Sequence, residues 1–279
     1  MLNKLYETWG VTNKHDLPEF TGYEDVLADL KLFTKEQYDK DPEKVTNEIF
    51  DIYRSINIVP ITYFSQRGIE NKIRELQLSI PNQVKDYTLG LGNNKGQDLI
   101  RFMFPNMMTA EPKGRGSNSL KDRFYDDKKL KRAIKICFVH REGDNPVRPS
   151  LIRTALELVT GENIQNFKAF NARSIVEELC PMFNGRIYDY SAGYGGRMLG
   201  TCTSRMHYQY HCVEPNTQTV EYLTYLSSFL RSEIKINCTV SEEYEPEDID
   251  LAFSSPPYFN LEKYCDEPTQ CMVKYNTLD

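Results

Sequence analysis

Asp189-Tyr-Ser-Ala-Gly-Tyr-Gly-Gly-Arg197 is the stretch whose reading decides the fold. It ends a short stretch, Arg186–Tyr190, that reads as a strand, and opens a helical stretch, Arg197–Ser204. Glycines at 193, 195 and 196 allow a sharp turn at a strand's carboxyl end. They also let a ligand lie against main-chain atoms without a Cβ clash. The same alternation continues outward. Helix Ala172–Leu179 precedes the turn. Strand Tyr208–Val213, helix Thr217–Leu230, strand Ile234–Val240 and strand Ile249–Phe253 follow it. Alternating strands and helices predict an α/β fold with a parallel, doubly wound sheet.

The glycine turn is not a dinucleotide fingerprint, because the third glycine of G-x-G-x-x-G would fall at Met198. No Gly-Lys-Ser/Thr follows either, so a P-loop is excluded. The second strand ends in Cys212-Val-Glu214, and Glu214 lies 19 residues after Gly195. An acid there can accept hydrogen bonds from both ribose hydroxyls of a nucleoside. Asp189, at the mouth of the turn, is expected to meet a cationic group. A ribose, no diphosphate and an ammonium group together describe S-adenosylmethionine.

The fourth strand runs into Ser254-Ser-Pro-Pro-Tyr258. Two prolines stiffen the corner and remove two N–H donors, which leaves carbonyl acceptors to dominate. With the Ser255 hydroxyl they can hold the hydrogens of a planar amine. Tyr258 offers a flat face for a base turned out of its duplex. A proline-stiffened loop with a packed tyrosine reads equally well from these residues alone.

Together, Asp189 to Arg197 and Ser255-Pro-Pro-Tyr258 resemble two motifs of the amino-methylating DNA methyltransferases, in the same order and some 60 residues apart. The resemblance covers about residues 164–265. It implies a Rossmann-like methyltransferase sheet and direct methyl transfer from S-adenosylmethionine to N4 of cytosine or N6 of adenine. No metal and no covalent cysteine intermediate are implied. The catalytic residues would be Ser255, Pro256, Pro257 and Tyr258. The cofactor would lie against Asp189, Ser191, Ala192, Gly193, Gly195 and Gly196. Glu214 would hold its ribose, and Ser241 and Glu242 would lie near its adenine. Phe167, in Asn166-Phe-Lys-Ala-Phe-Asn171, would supply a further contact. Asn260 and Tyr264 would line the target pocket. Restriction–modification and phage systems are settings for such enzymes.

The remaining sequence sets the context. In 279 residues, 40% hydrophobic and 27% charged with 33 aromatics, there is material for a real core and no apolar run of bilayer length. A cytoplasmic protein is expected, and the seven cysteines, without a C-x-x-C pair, read as reduced thiols. The four histidines read as structural. The net charge of −6 hides a basic block: nine Lys or Arg against three Asp between Lys113 and Lys135. It reads either as a solvated face or as a DNA-facing patch formed by Lys113, Arg115, Lys121, Arg123, Lys128, Lys129, Lys131 and Arg132.

Three regions are expected. Residues 1–86 read as helical, with patterns at Tyr23–Phe33, Glu43–Ile58 and Ile69–Leu78 broken at Pro60. They fit a plain bundle or a small DNA-binding unit. Residues 87–163 read as linker and basic segment, with loop over 88–122, a strand at Arg132–His140 and a helix at Pro149–Val159. Residues 164–279 form the methyltransferase region. Only 21 residues follow Tyr258. The resemblance therefore leads to the expectation of a C-terminally incomplete sheet: a fragment, a sheet completed by a second polypeptide or a homo-oligomer, or an inactive DNA-binding relative. Enzymes that methylate protein glutamine amides share a similar Pro-Pro-Tyr turn and form a further alternative.

Overall fold

The computed structural model describes residues 1–9, 29–81, 84–85, 88–89, 94–112, 118–139, 146–160, 163–257 and 261–274. Lys113, Arg115, Tyr258 and Asn260 lie outside these residues, as does most of the Tyr23–Phe33 pattern.

The chain is α/β and rich in helix, with a small parallel sheet. N-terminal helices are α1 (Leu2–Thr8), α2 (Lys35–Lys40), α3 (Pro42–Ile56) and α4 (Gln66–Leu78). Helix α3 shows why this region folds as the sequence suggests. Asp41 caps it by accepting from the Lys44 N–H, and Pro42 fills the first turn, where no N–H is needed. Val45, Ile49 and Tyr53 form its buried stripe, and Asn57 ends it in the left-handed region at φ 49°.

A two-residue hairpin, β1 (Val84–Lys85) with β2 (Thr88–Leu89), leads to α5 (Gln97–Met103) and a 3-10 turn, Pro105–Met108. The expectation of loop through residues 88–122 is corrected here. Leu99, Ile100, Phe102, Met103 and Phe104 are all fully buried, so this short helix is core. Phe104 packs edge-on against Tyr194 and Tyr222, which puts it directly behind the glycine turn. Trp9 donates its indole N–H to the Phe102 carbonyl, tying α1 to the same place.

Next come α6 (Leu120–Tyr125), α7 (Asp127–Val139) and α8 (Pro149–Thr160). The expected strand at Arg132–His140 is a helix over its described residues. Leu130, Ala133, Ile134, Cys137 and Phe138 are buried at spacings of three and four, and Asp126 accepts from the Lys129 N–H at its start.

Helix α9 (Ala169–Leu179) precedes the sheet. Strands β3 (Arg186–Asp189), β4 (Gln209–Val213), β5 (Ile234–Asn237) and β6 (Leu251–Ala252) pair in parallel in the order β5-β4-β3-β6. Helix α10 (Gly196–Cys202) connects β3 to β4, and α11 (Thr217–Ser227) connects β4 to β5. A 3-10 turn at Ser241–Glu243 lies between β5 and β6. The chain leaves β3 toward β4 and later returns to its other side with β6, so the connections reverse at β3. Crevices beside such a reversal, at the carboxyl ends of the strands, are where open α/β sheets take ligands. Among the described residues β6 pairs only with β3, through Ile187↔Leu251 and Tyr188↔Ala252. No described helix is long and apolar enough to cross a membrane.

Candidate ligand site at the carboxyl edge of the sheet

Each strand delivers its carboxyl end to one cavity of about 350 Å³. That lies within the range of about 300–1,000 Å³ typical of small-molecule sites. From the end of β3 come Ser191, Ala192, Gly193 and Tyr194; from β4, Glu214 and Asn216; from beyond β5, Ser241 and Glu242; from beyond β6, Ser255, Pro256 and Pro257. Asn166 and Phe167 close it from the segment before α9. Segments far apart in the sequence thus meet at one place.

The turn is held by backbone bonds to its neighbour. Ala192 N–H donates to the Val213 carbonyl, and Gly193 N–H donates to Glu214 Oε2 at 2.8 Å. The other carboxylate oxygen of Glu214 accepts from the Asn216 N–H at 3.0 Å. A carboxylate has about four acceptor positions, so both oxygens retain capacity toward the cavity. Burial pushes the Glu214 carboxyl up to about 7, against the lowering effect of those two N–H donors.

The glycines divide by role. Gly193 has φ +54°, and a Cβ there would meet nothing nearer than the Ser191 carbonyl at 3.8 Å. Gly196 does not line the cavity. A Cβ on it would collide with the Phe167 carbonyl oxygen, so its missing side chain serves the packing of α10 against residues 166–167. Gly195 likewise faces Phe104 rather than the cavity.

Asp189 departs from the sequence expectation. It is fully buried and does not line the cavity. Its cation is internal: Arg197 Nε donates to Oδ2 at 2.7 Å. Tyr210 donates its hydroxyl to the same oxygen, and Ser254 donates to Oδ1 at 2.6 Å. The Ser191 N–H adds a fifth contact, counting a longer one from Arg197 Nη2. Asp189 therefore binds β3, β4, α10 and the start of the Ser-Pro-Pro turn together, and no position is left for a ligand ammonium. The two serines of the turn divide accordingly, Ser254 toward Asp189 and Ser255 toward the cavity.

One wall was not legible in advance. Residues 262–274 cross the carboxyl edge and contribute Glu262, Tyr264, Cys265, Gln270 and Lys274 to the lining. Only Tyr264 was expected there. Lys263 and Glu111 exchange two backbone hydrogen bonds, Glu267 accepts from the Thr217 N–H and hydroxyl, and Thr269 donates to the Pro215 carbonyl. Lys274 pairs with Glu242 at 3.8 Å, and a short helix, α12 (Cys271–Lys274), ends this strap. Nothing in its composition marks it as a wall; its anchors are one backbone bridge and a few side-chain contacts to distant elements.

The cavity is acidic. Arg197 is neutralised by Asp189 and Lys274 pairs with Glu242, whereas Glu214 and Glu262 form no ion pair among the described residues. Glu262 instead accepts from the Tyr264 hydroxyl, and burial raises its carboxyl above the ordinary range. Such a lining favours hydrogen-bond donors and positive charge, and disfavours phosphate.

The basic block is only partly a free surface. Lys121, Lys128 and Arg132 are exposed. Lys129 bonds Asn118 and Asp126, and Lys131 bonds Asn47 while lying over the Phe50 ring. Arg123 corrects the expectation outright: it is 1% exposed and donates to the Asn118 carbonyl, so it belongs to the core and not to a DNA-facing patch.

Comparison of the chain with protein-family models, with curated proteins and with solved structures finds no match.

Proposed function

We propose that this chain is an S-adenosylmethionine-dependent methyltransferase acting on an exocyclic amino nitrogen of a DNA base, N4 of cytosine or N6 of adenine. The observation that carries the reading is the convergence of the glycine turn, Glu214, Ser241-Glu242 and Ser255-Pro-Pro on one cavity beside the reversal at β3. The acidic lining fits a nucleoside that carries positive charge and no phosphate. The donor set fits too: Glu214 offers acceptors for a ribose diol, and Gly193 leaves room for close approach.

Bound S-adenosylmethionine supplies an electrophilic methyl group. The chain's own part is positioning. The Ser255 hydroxyl and the carbonyls of the Ser-Pro-Pro turn accept the amino hydrogens, which directs the nitrogen lone pair and raises its nucleophilicity. With the cofactor bound, the nitrogen–methyl bond would form as its sulfur–methyl bond broke, and the surplus amino proton would leave to solvent. The exposed Lys121, Lys128 and Arg132 would meet phosphates of the duplex.

Mass spectrometry of duplex DNA incubated with the protein and S-adenosylmethionine tests this. N4-methylcytosine or N6-methyladenine is expected. Methyl label appearing in protein glutamine instead would replace the nucleic-acid substrate by a peptide one. Neither product, with the cofactor bound, would reduce the chain to a binding subunit. The one-sided pairing of β6 favours a further strand from a second polypeptide or a second copy. Sedimentation showing only monomer, with full activity, would remove that addition.

A further inference from the structure

Tyr194 stands at the centre of the glycine turn, between Gly193 and Gly195. Its ring is 6% exposed and lies edge-on to Phe104 and Tyr264, with centroid separations of 6.2 Å in each case. The residue lines the cavity, yet its buried hydroxyl has no hydrogen-bond partner among the described residues. Burial, aided by Glu214, Glu262 and Cys265, holds the phenol well above its ordinary ionisation range, so it stays a neutral donor. Leaving such a hydroxyl unsatisfied costs about 1–3 kcal/mol. The free protein carries that cost at a residue of the cavity lining.

Once ionised, the acidic groups that act on this hydroxyl can only accept. Glu214 and Glu262 are then carboxylates, whereas Tyr194 has a hydrogen to give. A ligand group that satisfies both kinds must donate and accept at once, as a sugar hydroxyl does. We infer that Tyr194 is a ligand-recognition residue, donating to a ribose hydroxyl oxygen of a bound nucleoside whose own hydroxyl hydrogens go to Glu214. The inference rests on the nucleoside reading above and narrows it. The site selects a sugar with free hydroxyls and rejects one that lacks or has esterified them.

Tyr194→Phe in the full chain tests it, because the change removes the hydroxyl alone. Titration calorimetry with S-adenosylhomocysteine, adenosine and 2′,3′-dideoxyadenosine is paired with thermal melting. The variant is expected to keep or raise its Tm, since an orphan polar atom is gone. It should bind S-adenosylhomocysteine roughly 5- to 10-fold more weakly, the worth of one hydrogen bond. The preference for adenosine over the dideoxy compound should shrink by a similar factor. Equal affinity for S-adenosylhomocysteine in the two proteins overturns the inference, as does an unchanged adenosine preference. A marked fall in Tm also overturns it, by assigning the hydroxyl to the fold. If the original protein binds none of the three probes, the nucleoside reading itself fails. If it binds them and the variant binds them equally, only the role of Tyr194 fails.

Discussion

Replacing Asp189 with Asn is expected to damage the fold before it touches any ligand contact. The carboxylate is fully buried and takes Arg197 Nε at 2.7 Å, Tyr210 at 2.5 Å, Ser254 at 2.6 Å and the Ser191 N–H at 3.2 Å. Asn turns one of these acceptors into a donor facing donors. It also leaves the Arg197 guanidinium, 4% exposed, without its counter-charge. Breaking a buried pair from one side costs about 3–5 kcal/mol. At about 2–4 °C per kcal/mol for a chain of this size, Tm should fall by roughly 6–20 °C. Differential scanning calorimetry reads this directly. Adding Arg197→Met should recover part of the loss, because the stranded charge is then gone. A variant that melts within about 1 °C of the parent, yet no longer binds nucleoside, would refute the reasoning and return Asp189 to the ligand.

Other outcomes follow from the same geometry. Glu214, pushed up to about 7, holds sugar hydroxyls best when ionised, so nucleoside affinity should climb from pH 5.5 to 7 and level off above. Its effect on stability runs the other way. A folded value raised above 4.5 makes a contribution fully present below that pH and lost as pH rises through about 7. Calorimetric titrations at pH 6 and pH 8 giving one affinity would contradict both statements. Gly196→Ala should unfold or strongly destabilise the protein through collision with the Phe167 carbonyl, whereas Gly193→Ala should cost about 1–2 kcal/mol of left-handed backbone strain. Urea unfolding that ranks the two equally would count against the division of roles. Lys128→Ala with Arg132→Ala should weaken duplex binding and flatten its salt dependence by up to about two counterions. An unchanged salt slope would take α7 off the DNA surface.

The alternation of elements after residue 164 was open to reading because short apolar runs there are bounded by Gly, Asn and Pro. Their order on the page is their order in the sheet's connections. The basic segment misled because Ala133-Ile-Lys-Ile-Cys-Phe-Val139 is a short apolar run, broken only by Lys135, as in a buried strand. Only a window opened at Asp126 shows the cap and the buried Leu130, Ala133, Ile134, Cys137 and Phe138 at helical spacing. Helix α5 was hidden because it is short, apolar and framed by Gly96 and Pro105, which read as loop punctuation. The part of the cavity lining that comes from the strand ends was visible in the motifs. Asp189 was not, because its partners Arg197, Tyr210 and Ser254 come from three other elements. The strap over residues 262–274 was invisible for the same reason, and the sequence attaches no role to Tyr194 between its two glycines.

The central claim is that the cavity at the carboxyl edge of β3 and β4 takes S-adenosylmethionine. Equilibrium binding at pH 8, where Glu214 is ionised, tests it most directly. Saturable binding of one S-adenosylmethionine or S-adenosylhomocysteine per chain is predicted, lost in Glu214→Ala while that variant keeps its melting transition. No binding of either compound by the intact protein, or equal binding by Glu214→Ala, would contradict the claim.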